Sequence, residues 1–414
     1  MSVQNDQAAT RLVHSDRRPL SRALSEAFLR RTLRGLAFGQ LTVDTPAGER
    51  LVFDGQKPGI QARLVIHNWR FLLRLAVSAD VGFAEGYIAG EWSSPNLTAL
   101  IRFADENEAA LTSLDQPRPW LKLRHWLNRN TRRGSRRNIA AHYDLGNSFY
   151  GQWLDAGMSY SSAMYSSAVQ SLEDAQNEKL DRVIDLLGVS GGERVLEIGC
   201  GWGGLAERML ERRYCTVTGL TLSSEQLAFV RKRFDDRGLL GRGEVRLQDY
   251  RDVGGQFDRI VSIEMLEAVG ESYWPKYFQT LWDRLVPGGA AVLQVITIDD
   301  ARFHLYRRRP DFIQKYIFPG GMLPTVSIIG EQAARAGLRL VSSELFGASY
   351  ARTLEEWQRR FQANWPRIQE SLASTNVSNE PGTTTFPIVS PASRPGRWTL
   401  GFTSLSGDQF TGRC

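Results

Sequence analysis

Arg194-Val-Leu-Glu-Ile-Gly-Cys-Gly-Trp-Gly-Gly204 is a short apolar run that breaks into a glycine-rich loop. Val195, Leu196 and Ile198 have the character of a buried parallel strand. Gly199, Gly201, Gly203 and Gly204 remove side chains where the backbone must turn sharply and let a ligand approach closely. Residues 205–213 follow with helical spacing, so the loop presents backbone N–H groups at the positive end of a helix. Such a loop suits a nucleotide-like ligand, and a dinucleotide site is the plainest reading. The spacing Glu-x-Gly-x-Gly-x-Gly-Gly departs from the G-x-G-x-x-G fingerprint, however, and no phosphate-binding lysine follows as in a P-loop.

The strands that follow are expected at 216–220, 244–248, 258–263 and 291–296, and helices at 170–187, 223–237 and 273–286. Pro287-Gly288-Gly289 is expected to end the last of these helices. Strands alternating with helices predict a doubly wound, mainly parallel sheet with helices on both faces, an α/β fold. A ligand should lie at the carboxyl ends of its strands.

At 414 residues the chain is long enough for two domains. Apolar residues at 42% and charged residues at 23% are ordinary for a globular protein, and a net charge of +6 favours anionic partners. Cys200, Cys215 and Cys414 form neither a disulfide framework nor a CxxC metal pair, so no metal site is expected and a reducing compartment is. Residues 1–18 lack the apolar core of a signal peptide and no apolar stretch is long enough to span a bilayer, which points to a cytoplasmic enzyme.

Upstream of the glycine loop, residues 1–19 are expected to be disordered. Residues 20–115 read as a small α+β domain, with a helix at 20–36, strands at 39–45 and 50–53, weaker alternation at 62–66 and 70–77, and a helix at 96–106. Residues 116–140 form a linker in which Arg118, Lys122, Arg124, Arg129, Arg132, Arg133, Arg136 and Arg137 are interleaved with Trp120, Leu121, Trp126 and Leu127. That pattern suits nucleic acid, an anionic membrane surface or a solvated linker, and taken alone it does not choose among them.

Residues at strand ends are the ligand candidates. Thr221 closes the second strand of the α/β region. Ser223 with Gln226 reads as a helix capping box, and the Gln226 amide can also reach ribose hydroxyls. Asp249 can accept from an adenine amino group or cap its loop, and its place at a strand end favours the ligand role.

The motifs together resemble a known family. The glycine loop is similar to motif I of the S-adenosylmethionine (SAM)-dependent methyltransferases. Residues 142–147, 160–163, 196–204, 219–226, 247–251, 262–270, 316–324 (Tyr-Ile-Phe-Pro-Gly-Gly-Met-Leu-Pro) and 346–354 (Phe-Gly-Ala-Ser-Tyr-Ala-Arg-Thr-Leu) resemble, in order, the cyclopropane-fatty-acyl-phospholipid synthases and the related mycolic acid cyclopropane synthases. The resemblance covers about residues 40–370. It implies a SAM-dependent, Rossmann-like methyltransferase domain at 141–370 that transfers a methylene group to a cis double bond in a phospholipid acyl chain. It also implies a lipid-associated N-terminal domain, peripheral attachment to an anionic membrane surface rather than nucleic acid, and a homodimer is expected. Carried over residue by residue, Tyr160, Ser161, Gly199, Gly201, Leu220, Thr221, Gln226, Asp249 and Ile263 would bind SAM. Ser162, Glu267, Gln294, Ile296 and Tyr350 would hold a bicarbonate ion as general base. Glu264 is the rival carboxylate, with a stronger reading as a helix-terminus acid.

Three features depart from the family pattern. Ser162 stands where Cys is frequent. Gln294 stands where some members have His, and an amide donates to an anion but does not titrate. Ser, Thr, Pro and Gly crowd residues 371–414 where the family continues with an Arg- and aromatic-rich helix, so this tail is expected to be disordered or to reflect a shifted reading frame. Gln294 raises the alternative of methylation without ring closure, and the tail and linker that of a non-catalytic lipid-binding relative.

Overall fold

The computed structural model describes residues 19–111, 146–308, 311–374 and 398–406. The expectations for residues 1–18, for the whole basic linker 116–140 and for 375–397 and 407–414 lie outside the described residues. The chain divides into two compact units, Met1–Gln116 and Pro117–Cys414.

The first unit holds a four-stranded sheet in the order β2-β1-β3-β4. β1 (Phe38–Asp44) and β2 (Arg50–Asp54) form an antiparallel hairpin, β3 (Lys57–Ile66) runs parallel to β1, and β4 (Trp92–Ser93) closes the sheet. Leu41, Val43, Leu64 and Ile66 meet Phe71, Trp92, Leu100 and Phe103 in its core. The segment 70–77 belongs to the helix Arg70–Ile88: Phe71 and Leu72 are buried while Leu73 and Val77 face solvent, which is why alternation along it is weak.

The second unit is built on a seven-stranded sheet of order β10-β11-β9-β8-β5-β6-β7. Its strands are β5 (Arg194–Ile198), β6 (Thr216–Thr221), β7 (Gly243–Leu247), β8 (Phe257–Ile263), β9 (Leu285–Ile298), β10 (Arg339–Leu345) and β11 (Trp398–Ser406). β7, β6, β5, β8 and β9 are parallel, and β11 pairs antiparallel with both β9 and β10. Helices Leu172–Leu187, Gly204–Arg212 and Ser224–Asp236 cover one face through Val183, Leu205, Met209, Val230 and Phe234. Helices Trp274–Arg284 and Val326–Arg335 cover the other through Tyr277, Phe278, Leu281, Ile329 and Ala333. This is the doubly wound α/β fold expected. The helix Leu172–Leu187 starts where the Ser171 side chain accepts from the Asp174 N–H and stops at Gly188 in the left-handed conformation.

Two expectations are corrected. The helix before β9 ends at Arg284, and Pro287-Gly288-Gly289 lies within the strand Leu285–Ile298. The tail is ordered in part: Trp365–Ser374 is helical, and Trp398–Ser406 inserts between β9 and β10 with Leu405 fully buried. Ser and Thr suggest a loop by composition. Thr also suits a pleated strand, and the segment pairs with β9 along its whole length and with β10 from Gly401 onward.

Strand order reverses between β5 and β8, so the crevice at their carboxyl ends is bounded by Gly199 on one side and Glu264 on the other.

Candidate active site

The glycine loop is tied to the end of β6, since the N–H groups of Gly199 and Cys200 both donate to the Leu220 carbonyl at 3.0 and 2.9 Å. Gly199, Gly201 and Gly203 all have positive φ, at 81°, 53° and 80°. A Cβ on Gly203 would meet the Val230 side chain at 2.8 Å, so that glycine permits helix packing. A Cβ on Gly201 would meet nothing within 4 Å, so that one faces open space at the crevice. Beside it, the Thr221 hydroxyl accepts from the Ser223 N–H and donates to Gln226 Oε1 at 2.7 Å. This holds the buried Gln226 amide so that its NH2, which has no partner among the described residues, remains to bind a ligand. Ser223 is indeed the helix cap, accepting from the Gln226 N–H. Ile263 ends β8 on the same side.

Asp249 is buried, with Oδ1 accepting from the Arg251 backbone N–H and from Nε, and Oδ2 from Nη2 at 2.6 Å. Both its oxygens therefore serve the loop Tyr250–Asp252, the capping job the alternative reading assigned to it.

Tyr160 and Ser161 belong to a loop that Asp155 shapes by accepting from the N–H groups of Gly157 and Ser159 at 2.8 Å. The Tyr160 ring packs among Tyr150, Trp153 and Trp357, each with centroids 5.5 Å away. The Gln176 amide holds the Ser161 carbonyl at 2.8 Å, and the buried Lys179 ammonium donates to the Ser161 hydroxyl at 2.7 Å.

Two carboxylates close the crevice opposite the glycine loop. Glu264, the first residue after β8, sits at φ 48°, a conformation rare for a side-chain-bearing residue and one that clusters at functional sites. Its Oε1 accepts from the Ser162 N–H at 2.8 Å and from Gln294 Nε2 at 2.7 Å. Glu267, on the short helix Leu266–Val269, accepts through Oε1 from the Ile296 N–H, while its buried Oε2 has no partner among the described residues. Burial first, and the neighbouring Glu264 second, push the Glu267 carboxyl up to about 8. Tyr350 lies within electrostatic reach of Glu264, Tyr160 and Glu267, and burial raises its phenol well above the usual range. The structure thus brings Ser162, Glu267, Gln294, Ile296 and Tyr350 together and adds Glu264 to them as a full member. It does not arrange them to hold an anion. The Ile296 and Gln294 donors are taken by the chain's own carboxylates, and the Ser162 hydroxyl donates to the Ala163 carbonyl at 2.8 Å. The set does not fit bicarbonate, and the chemistry below uses none.

Lys179 and Glu197 are two buried charged residues near the site that sequence reasoning missed. Lys179 shares a helix face with Ala175, Leu180 and Val183, and a lysine at an apolar position of a periodic helix is a readable signal. Glu197, inside the quoted stretch, is pushed up to about 8 by burial, and its Oε2 has no partner among the described residues. Among the described residues no group of His, Cys, Asp and Glu could hold a metal ion.

The family model described as mycolic acid cyclopropane synthetase matches residues 130–380, more than half of the chain. The chain belongs to this family. A tuberculostearic acid methyltransferase of Mycobacterium tuberculosis is 37% identical over 398 residues, covering 87% of this chain and 88% of that protein. The cyclopropane-fatty-acyl-phospholipid synthase of Escherichia coli is 33% identical, covering 78% and 82%. The crystal structure of the mycolic acid cyclopropane synthase CmaA1, complexed with SAH and CTAB, superposes with a TM-score of 0.59 at 27% identity, over 66% of this chain and 98% of that one. As a family member the chain is a SAM-dependent transferase that moves a one-carbon unit to a lipid acyl chain. The open space at Gly201 and the outward Gln226 amide fit an adenosyl ligand.

Proposed function

We propose that the protein transfers a methylene group from SAM to the cis double bond of an unsaturated phospholipid acyl chain and closes a cyclopropane ring. The pair of half-buried carboxylates, Glu264 and Glu267, at the carboxyl end of β8 is the observation that carries this reading. SAM supplies an electrophilic sulfonium methyl, which the alkene π electrons take, leaving positive charge on the lipid. The chain stabilises that charge with carboxylates and with the faces of Tyr160 and Tyr350 in a water-poor crevice. Glu267 Oε2, the unpartnered atom, accepts a proton from the new methyl, and the electrons of that C–H bond close the third side of the ring.

Gln294 favours a second reading, in which the carbon is added as a branch without ring closure. Its Nε2 is spent on Glu264 and on the Ser162 carbonyl, so it gives no titratable group to the step that removes the proton. Mass spectrometry of lipids from a host expressing the protein decides. Acyl chains 14 Da heavier are expected, with fragmentation placing the added carbon in a ring; a branch selects the second reading, and no mass gain removes both. Gln294→His is expected to raise the cyclic share of the product, because an imidazole adds a proton-accepting group beside Glu264.

The phospholipid and the membrane surface are supported by two features. Leu305, Ile313, Tyr316 and Phe318 are exposed, with Arg307 and Arg308, on the segment leading to Gly321 and Met322. That segment reaches the site: Gln314 Nε2 donates to the Gly321 carbonyl and the Met322 N–H to the Glu267 carbonyl. The second feature is the basic, Trp-containing linker, which lies outside the described residues. No helix among the described residues is long and apolar enough to cross a membrane. Peripheral attachment on the cytoplasmic side, with a homodimer as the assembly, completes the reading. Replacing Arg132, Arg133, Arg136 and Arg137 by Ala is expected to weaken binding to vesicles containing phosphatidylglycerol and to flatten its salt dependence. If vesicle binding is unchanged while oligonucleotide binding drops, the linker binds nucleic acid instead.

A further inference from the structure

Lys179 is buried and takes no part in the chemistry above. It reaches from the helix Leu172–Leu187 to the Ser161 hydroxyl at 2.7 Å, and one turn earlier Gln176 Nε2 holds the Ser161 carbonyl at 2.8 Å. One helix face therefore grips this serine by both of its oxygens. An ammonium group is a donor only. The Ser161 oxygen must then accept from it, and the hydroxyl hydrogen is left to point at something else. Ser161 Oγ donates to no atom among the described residues.

We propose that Lys179 is a positioning residue for SAM: by occupying the acceptor side of the Ser161 hydroxyl, it commits that hydroxyl to donate to the carboxylate of the cofactor's methionine end. The proposal rests on the reading that Ser161 contacts SAM. The ammonium is balanced by three acids on three other elements, Glu264 after β8, Asp155 in the preceding loop and Glu197 on β5. Burial outweighs them and lowers Lys179 to about 8. Above that pH the amine is neutral and can itself accept from Ser161, turning the O–H back from the ligand. Affinity for SAM should fall there, beyond any change from Glu197 and Glu267, which titrate in the same range.

Calorimetry with SAM and with 5′-methylthioadenosine, which lacks the amino-acid carboxylate, tests this on the full chain. Lys179→Met is expected to weaken SAM roughly tenfold, the scale of a hydrogen bond to a charged group, and methylthioadenosine by less than about twofold. Lys179→Arg, also a donor only, should restore much of the loss. Ser161→Ala should weaken SAM to a similar degree, and the double variant no further than either single change. Equal weakening of both ligands, an additive double variant, or unchanged SAM affinity in Lys179→Met overturns the proposal. Unchanged SAM affinity in Ser161→Ala overturns the contact reading itself, and the proposal with it. If Lys179→Met does not fold, the unmodified protein and Ser161→Ala decide: the ratio of SAM to methylthioadenosine affinity should drop through about pH 8 in the first and stay level in the second, and parallel curves overturn the proposal.

Discussion

Glu267→Gln is expected to lower kcat by at least about a hundredfold, the scale of a removed general base or charge stabiliser, while SAM affinity stays within about twofold. The reasoning is differential. Glu267 Oε2 is buried and has no partner among the described residues, and in the proposed mechanism it meets charge that exists only once the methyl has moved. Its loss should therefore appear in kcat and in kcat/KM alike, leaving cofactor binding in place. Because burial and Glu264 raise its carboxyl to about 8, the active ionised form should gain population as pH rises through 8. Turnover should climb over that range in the native enzyme and lose this limb in the variant.

Stability moves the opposite way, which separates damage to chemistry from damage to fold. A carboxyl raised in the folded state is bound to its proton there and ionised in the unfolded chain, so the native enzyme loses stability as pH climbs from the usual carboxylate range through about 8. Glu267→Gln has no proton to lose and should melt higher than the native enzyme at pH 8 while turning over far more slowly. A variant that is both slow and less stable at that pH would place Glu267 in a structural role. Tyr350→Phe should lower kcat more mildly, since it removes a hydroxyl and no charge.

The fold was legible because its signals are local. An apolar run ending in glycines, followed by a helix at 3.6-residue spacing, fixes β5 and its loop within about a residue, and β6, β7 and β8 are read from short apolar runs between helical segments. The tail strand Trp398–Ser406 was not legible, since what orders it is pairing with β9 and β10, far away in sequence. The site divides in the same manner. Residues at strand ends, such as Thr221 and Ile263, follow from topology alone. Glu264 looked like a helix-end acid because nothing local reveals that Ser162 and Gln294 converge on it from separate segments. Asp249 carries both of its signals openly: its strand-end position suggests a ligand contact, and the arginine two residues later bonds to both its oxygens, a short-range pairing.

Gly201→Val is expected to abolish measurable SAM binding by calorimetry, a loss of more than about a hundredfold. Gly201 has φ 53°, and a side chain there would project into open space at the crevice, the volume an adenosyl ligand needs. A β-branched residue at positive φ also strains the backbone, so Gly201→Ala, with a single Cβ and less strain, separates the two effects. It should still weaken SAM severely while costing only about 1–2 kcal/mol of stability, the usual penalty for a side chain in the left-handed region. Gly203→Ala is the contrast within the same loop. Its Cβ would drive into Val230 at 2.8 Å, so it should lower the melting temperature by more than Gly201→Ala does and weaken SAM only as far as the loop shifts. Unchanged SAM affinity in Gly201→Ala would mean that the cofactor does not pass this glycine, and that the crevice between β5 and β8 is not where it binds.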